Sequence, residues 1–514
     1  MTADLILCNL KAVTFSQTGA GPDLIAIKGN RIFFVGPKTA LGELRGPHTR
    51  LLDCQGGIVL PGFNDAHCHP VAFAITQRYL DCSSPQIRCI GDIQAALRKK
   101  ADGASAGYWV RGANYDVSAI AEQRLPDRWE LDQAVPHLPV VLVERSGQYC
   151  VLNSRALEQC GIHDHTSDPD AGRILRDPAR GIPNGVVSGN NERVAKAIPP
   201  LGDDEIEMGL RNASQEYLSH GITSLQDTSW SNTYTHWQTM RLFKQRGFLT
   251  PRVTMHAGID ALEQFAQRDL KTGHGDDHVR LGAMKIALDE SAGSGPPAQA
   301  DLDQLALRAH LAGFQLAFHV PDIQMLQMSL QALEYVRHAS AGECSRPRFE
   351  HCPVCPASLL PELAQSGAIV VSQPNLLYQT GPAYLRELSE NQLRWIFPYR
   401  SYMENGIRVA FSSDSPLTPC DPLRAIKVAV TRKVEGGERL SADEGVTLLQ
   451  AIEMYSFAGA YSSNEERTKG LLDAGQLADL VILESGGRLD HVSEKLLDAQ
   501  VVMTLIDGKV VWSK

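Results

Sequence analysis

The 514-residue chain lacks the marks of several protein classes at once. It has no lysine or arginine cluster, and 49 basic residues against 59 acidic ones leave a net charge of −10. A nucleic-acid partner is therefore not expected. No uninterrupted apolar run approaches the length that crosses a bilayer, so no membrane partner is expected either. The opening residues, Met1-Thr-Ala-Asp-Leu-Ile-Leu-Cys-Asn-Leu, have neither the basic start nor the apolar centre of a secretory signal, which points to the cytoplasm. Cysteine is scattered and odd in number, at 11, which suits reduced thiols better than a disulfide framework. Internal repeats and low-complexity tracts are also missing. What remains is an ordinary globular composition, 43% hydrophobic and 21% charged, in a chain too long for one simple core.

The two ends read alike. Short apolar runs at Leu5-Ile-Leu, Ala12-Val-Thr-Phe, Leu24-Ile-Ala-Ile and Arg31-Ile-Phe-Phe-Val, with turns between them, are β in character. Ala478-Asp-Leu-Val-Ile-Leu, Val501-Val-Met-Thr-Leu-Ile and Lys509-Val-Val-Trp512 answer them at the far end. One small domain assembled from both termini, residues 1–57 and 463–514, is expected.

Between the ends, apolar strands alternate with helical stretches such as Asp204–His220 and Leu302–Ala312, the pattern of a parallel α/β sheet. The run Gly56-Gly-Ile-Val-Leu60 is read as the first strand, leading into Pro61-Gly-Phe-Asn-Asp-Ala-His67-Cys-His69. Further strands are expected at 221–227, 251–256, 279–285, 314–319, 346–351, 368–373 and 407–414. Together they make the number that closes a (β/α)8 barrel of the TIM type over residues 58–462. Residues 75–200, rich in Gly and Pro, form an insertion after the first strand, expected over the barrel mouth.

In such a barrel the C-terminal ends of the strands face a common pocket. Those ends carry His67, His69, Lys285, His319, His351 and Asp414. His67 and His69 are spaced i, i+2 and so lie on one side of an extended chain. Imidazole and carboxylate are good ligands for zinc or a similar divalent cation. Singly, each residue has an ordinary structural reading: His319 a core histidine, His351 a strand-end cap, Asp414 a helix N-cap, Lys285 a surface lysine. Those readings would have to coincide at five strand ends, so a metal site is the better account.

Pro-Gly-Phe-Asn-Asp-Ala-His-Cys-His resembles the first-strand motif of the amidohydrolase superfamily, and Ser413-Asp414-Ser-Pro resembles its eighth-strand aspartate. The insertion motifs Tyr108-Trp-Val-Arg-Gly-Ala-Asn-Tyr-Asp116, Leu131-Asp-Gln-Ala-Val-Pro-His-Leu-Pro-Val, Asn153-Ser-Arg-Ala-Leu and Gly181-Ile-Pro-Asn-Gly-Val are similar to the YtcJ-like branch, amidohydrolase family 3. Leu477-Ala-Asp-Leu-Val-Ile fits it too. The resemblance spans nearly the whole chain. It implies a composite β-sandwich beside the barrel, a metal-dependent hydrolase and a homodimer. It also implies a strand-four lysine, Lys285, that bridges two metals when carboxylated. The departures lie in the pocket wall: Gly147-Gln148 where the branch tends to Gly-His, Asp289-Glu-Ser-Ala-Gly-Ser-Gly after the lysine, and His319-Val-Pro-Asp322 after the fifth strand.

The resulting expectation is a cytoplasmic hydrolase of a carbon–nitrogen bond in a small molecule: an amide, an N-substituted formamide or a cyclic amide. One or two divalent metals, zinc above all, are expected at His67, His69, Lys285, His319, His351 and Asp414. Asp414 is the expected proton shuttle and His351 a ligand or carbonyl-polarising donor. Tyr115, Asp116 and Gln148 are expected to touch substrate. A lactonase, esterase or deaminase uses the same scaffold, since fold and metal do not fix the scissile bond. An inactive scaffold or regulator is a third reading, against which the full ligand set argues. Cys352-Pro-Val-Cys355 has no partner pair and is read as two thiols, and Ala292-Gly-Ser-Gly295 lacks the lysine of a phosphate-binding loop.

Overall fold

The computed structural model describes residues 2–15, 21–83, 86–105, 107–145, 148–169, 172–189, 192–287, 298–340, 346–484 and 494–514. Gly147 and the stretch 289–295 lie outside the described residues. The chain divides into two compact units, Met1–Pro70 with Ala213–Lys514, and Val71–Asn212. Among the described residues no helix is long and apolar enough to cross a membrane.

The first unit contains the barrel. Its strands are β1 Phe63–Cys68, β2 Ile222–Asp227, β3 Arg252–Gly258, β4 Val279–Ile286, β5 Leu316–Val320, β6 Arg348–His351, β7 Ile369–Ser372 and β8 Val409–Phe411. Each pairs in parallel with the next in one eight-stranded sheet. Nearly every residue in these strands is buried, because lumen and helices cover both faces; such strands read as apolar runs rather than alternating ones. The sheet comes round on itself just beyond the strand ends. Asp414 N–H donates to the His67 carbonyl at 2.8 Å and His69 N–H to the Ser415 carbonyl at 2.9 Å. Asp65 of β1 accepts from the Ser413 backbone and hydroxyl at 2.8 and 2.5 Å.

Gly56–Leu60, read from sequence as the first barrel strand, belongs elsewhere. It lies in the long strand Arg50–Pro61, which pairs in parallel with Leu5–Ala12 and antiparallel with Leu480–Leu483. An apolar run reports burial without saying which sheet does the burying. The chain changes sheets at Gly62, where an added Cβ would sit 2.2 Å from the Thr223 hydroxyl. The barrel strand proper is the more polar Phe-Asn-Asp-Ala-His-Cys that follows. Asp414 does not cap the next helix either: Asp421 does, accepting from Arg424 N–H at 3.0 Å.

The termini meet in one seven-stranded sheet ordered Lys509–Ser513, Val501–Ile506, Leu480–Leu483, Arg50–Pro61, Leu5–Ala12, Leu24–Lys28 and Arg31–Gly36. Alternation serves both of its faces. Leu7, Ile25 and Ile27 pack with Leu480 and Ile482, while Ile6, Leu24 and Ala26 pack with Leu44. Arg252 of β3 locks this sheet to the barrel, donating at 2.6 Å to both Asp479 and Asp507.

The second unit has a six-stranded sheet, ordered Arg173–Arg176, Pro183–Ser188, Tyr149–Leu152, Val140–Glu144, Val110–Tyr115 and Leu80–Asp81. Two of its motifs have a structural role. Asn153 caps the helix Ser154–Gln159 and is fully buried. Its side chain accepts from Val140 and Ala156 N–H and donates to the Val135 and Leu138 carbonyls, all at 2.9–3.0 Å. Gly185 sits at φ +98°, where a Cβ would meet the Leu152 carbonyl at 2.5 Å.

Candidate active site

His67 is buried in β1, and His69 follows just past its end on the same side, as the two-residue spacing requires. His351 needs a further device. It succeeds Glu350, and strict alternation would turn one of them away from the lumen. Positive φ at His351 (+73°) and Cys352 (+44°) bends the end of β6. The His351 ring then lies 4.7 Å, centre to centre, from His67 and 4.8 Å from His319. Asp414 also has positive φ, +57°. Non-glycine residues adopt this region at a cost, and such sites cluster where function demands a particular orientation.

The strand ends thus converge. Asp414 Oδ1 is 3.1 Å from His69 Nε2 and 3.6 Å from His67 Nε2, and its Oδ2 is 3.9 Å from His351 Nδ1. One ligand atom each from His67, His69 and Asp414 lie within 4.8 Å of one another. The neighbours decide which face of each ring can do what. Glu350 accepts from His67 Nδ1 at 2.6 Å, and Arg348 holds Glu350 through its Nε at 2.7 Å. Burial opposes the Glu350 charge, but Arg348 prevails and its pKa falls below the usual carboxylate value. Ser229 donates to Asp227 at 2.7 Å, which leaves its oxygen to accept from His69 Nδ1 at 2.9 Å. Both Nδ1 protons are so committed, and both Nε2 lone pairs point at a carboxylate.

That convergence of acceptors is the test of whether a metal fits. Burial, then Lys285, drives the His67 pKa well below its ordinary value, and the proton on its Nδ1 is already given to Glu350. Burial also opposes the Asp414 charge, yet the surrounding histidines hold its pKa low. Burial disfavours charge on His69 as well, but the Asp414 bond outweighs it and raises that pKa. A proton on His69 relieves one contact only. A divalent cation relieves all, and two imidazoles with a carboxylate are a donor set that takes one. The residues fit the group.

Lys285, buried on β4, belongs to the same cluster: its charge weighs on His67, His69, His319 and His351 alike. Burial, then Lys285, lowers the His319 pKa to about 2. The structure therefore brings together every strand-end residue named from sequence. The insertion residues stand apart in kind. Tyr115 is fully buried in the apolar core of its own unit, its hydroxyl donating to the Arg124 carbonyl. Asp116 pairs with Arg145 at 2.9 Å, and Gln148 is exposed at a turn, its carbonyl accepting from Gly189 N–H.

Sequence reading missed Glu350, Arg348, Ser229 and Gln373, the last accepting from His351 Nδ1 at 3.0 Å. A signal for the first two was present: Arg348 and Glu350 are opposite charges at i, i+2 in a strand that must be buried on both faces. Ser229 and Gln373 carried none. Cys352 and Cys355 are both buried, and burial pushes the Cys355 thiol up to about 12.

A model of the amidohydrolase family matches residues 50–512. The chain belongs to the amidohydrolase family. A relative, N-substituted formamide deformylase of Arthrobacter pascens, is 29% identical over 539 aligned residues, covering 98% of this chain and 97% of the relative. The putative amidohydrolase YtcJ of Bacillus subtilis (strain 168) is 24% identical with 98% of each chain covered, which sets this amidohydrolase in the YtcJ-like branch. A crystal structure of an uncharacterised metal-dependent hydrolase from Pyrococcus furiosus shares the fold, with a TM-score of 0.74 at 19% identity over 95% of this chain and 99% of that one. This amidohydrolase is a hydrolase of carbon–nitrogen bonds.

Proposed function

We propose that this amidohydrolase cleaves the amide bond of a small N-substituted formamide or a close relative, including cyclic amides, with zinc as its metal. The observation that carries the reading is the meeting of His67 Nε2, His69 Nε2 and Asp414 Oδ1 with no proton among them to join all three. Full-length similarity to a formamide deformylase supports the choice of bond. Zinc held by His67, His69 and Asp414 would polarise the carbonyl and bring a water toward ionisation near neutral pH.

The chain's own residues do the rest. Asp414, kept ionised by the surrounding imidazoles, takes the proton of the attacking water and returns it to the leaving nitrogen. Glu350 and Ser229 hold the His67 and His69 rings in the tautomer that presents Nε2. Gln373 does the same for His351. Its amide donates to Ser412 Oγ at 2.9 Å, so its oxygen takes the His351 Nδ1 proton and Nε2 is left as an acceptor. His351 is thereby a ligand rather than a donor to the carbonyl. The Lys285 ammonium gives up one proton, and the free amine adds CO2 with loss of a second to become an anionic carbamate, which removes a buried positive charge from the imidazole cluster and would permit two metals.

The test is metal content and turnover on a panel of formamides, cyclic amides, esters, lactones and aminopurines. Formamide turnover with zinc bound is expected. Lactone or ester turnover alone would overturn the choice of bond. Two metals per chain that depend on bicarbonate, with the added mass of CO2 at Lys285, are expected on reconstitution. One metal, indifferent to bicarbonate, would refute the carbamate.

A further inference from the structure

A second group of metal-ligating side chains lies outside the barrel site. Glu216 and His220 are i, i+4 at the end of the helix Asp203–Ser219, which precedes β2. Cys420 stands beyond β8, where the segment that starts at Asp414 reaches the helix Pro422–Thr431. A Glu216 carboxylate oxygen, a His220 ring nitrogen and Cys420 Sγ lie within 4.8 Å of one another. Glu216 Oε1 is 3.3 Å from His220 Nε2, and Asp421 Oδ1 is 3.8 Å from His220 Nδ1. The thiol is buried at 2% exposure while His220 is half-buried and Glu216 exposed.

A helix-surface ion pair accounts for Glu216 and His220 alone. It does not account for a buried sulfur closing on the same imidazole and carboxylate from another part of the chain. Tetrahedral zinc with ordinary Zn–S and Zn–N lengths sets its ligands about 3.3–3.8 Å apart, so a small contraction of this group suffices. Asp421, which caps the following helix, lies 3.8 Å from the other ring nitrogen, beyond hydrogen-bond distance, and adds only negative charge beside the imidazole. One thiolate and one carboxylate also balance a divalent charge.

We infer that Glu216, His220 and Cys420 form a second zinc site, with solvent completing the coordination. On binding, the Cys420 thiol releases its proton to solvent and the sulfur bonds the cation. Burial, then Glu216, Asp65 and Asp421, push the thiol pKa well up, and a cation at this point offsets that crowding of negative charge. The site clips the helix to the segment that carries Asp414. That segment already touches the helix through Tyr217 Oη and Ser415 Oγ at 2.8 Å. A bound cation therefore stabilises the closure of the barrel.

Cobalt(II) titration of the full-length protein tests this, because a thiolate ligand gives a near-ultraviolet charge-transfer band that imidazole and carboxylate do not. The band is expected in the wild type and in His67→Ala, which spares this group, and absent in Cys420→Ser. Glu216→Gln, an exposed change that leaves folding intact, should weaken the affinity reported by the band at least ~10-fold. Zinc should raise the Tm of the wild type more than that of Glu216→Gln. A missing band, a band that survives Cys420→Ser, or equal affinity in Glu216→Gln would overturn the inference. None of these outcomes depends on turnover or on the bond cleaved.

Discussion

The barrel lumen and the insertion are both buried, and they are buried in opposite ways. Among the described residues of the insertion, the buried polar side chains are Arg111 and Asn153, set in a core of valine, leucine and isoleucine. The barrel encloses Asp65, His67, Lys285, His319, Arg348, Glu350, His351 and Asp414. Taking a charge out of water costs several kcal/mol per ion unless partners offset it. Arg348 shows how far the offset is carried, donating to Glu350, to Gln226 and to the Ala66 carbonyl while fully buried. In the insertion, the buried Asn153 satisfies backbone groups of its own unit. In the lumen, charged groups are taken out of water and held by one another.

The largest expected effect tests that division at its centre. Asp414→Asn nearly preserves shape but removes the base, and kcat in metal-loaded protein should fall by roughly 10²–10⁴. A near wild-type kcat would mean that the lumen's convergence on Asp414 is structural after all.

Next in size is Glu350→Gln, which touches the lumen without touching the cation. If Glu350 acts by orienting His67, metal affinity should drop ~10–100-fold, read by competition with a chelator. Unchanged affinity would place Glu350 with the fold rather than the site.

The insertion should respond in the other currency. Asn153→Ala strands buried backbone groups that its amide now satisfies and should lower unfolding free energy by about 1–3 kcal/mol, measured by denaturant melts. Metal content should not change. A loss of metal with stability intact would break the comparison.

The smallest effect is Tyr115→Phe. Removing the hydroxyl that donates to the Arg124 carbonyl should cost about 0.5–1.5 kcal/mol of stability. A change in kcat/KM with no change in stability would instead make Tyr115 the pocket residue that its motif suggested.

The sequence by itself determined the fold class and the strand-end residues. Parallel strands covered on both faces leave apolar runs whose last residues are free to be polar, so Lys285, His319, His351 and Asp414 stood out at their ends, while His67 was found by its two-residue spacing from His69. It also determined that the two termini are β, through alternation. Only the tertiary structure decided which sheet receives Gly56–Leu60, because burial looks the same in either. Only it decided that His351 and Glu350, adjacent in sequence, serve the same cluster, because a positive φ is not written in a histidine. The partners Ser229, Arg348 and Gln373 were likewise settled by the closing of the barrel. Their roles depend on which atoms come within hydrogen-bond distance across strands, and one-dimensional spacing carries no record of that distance.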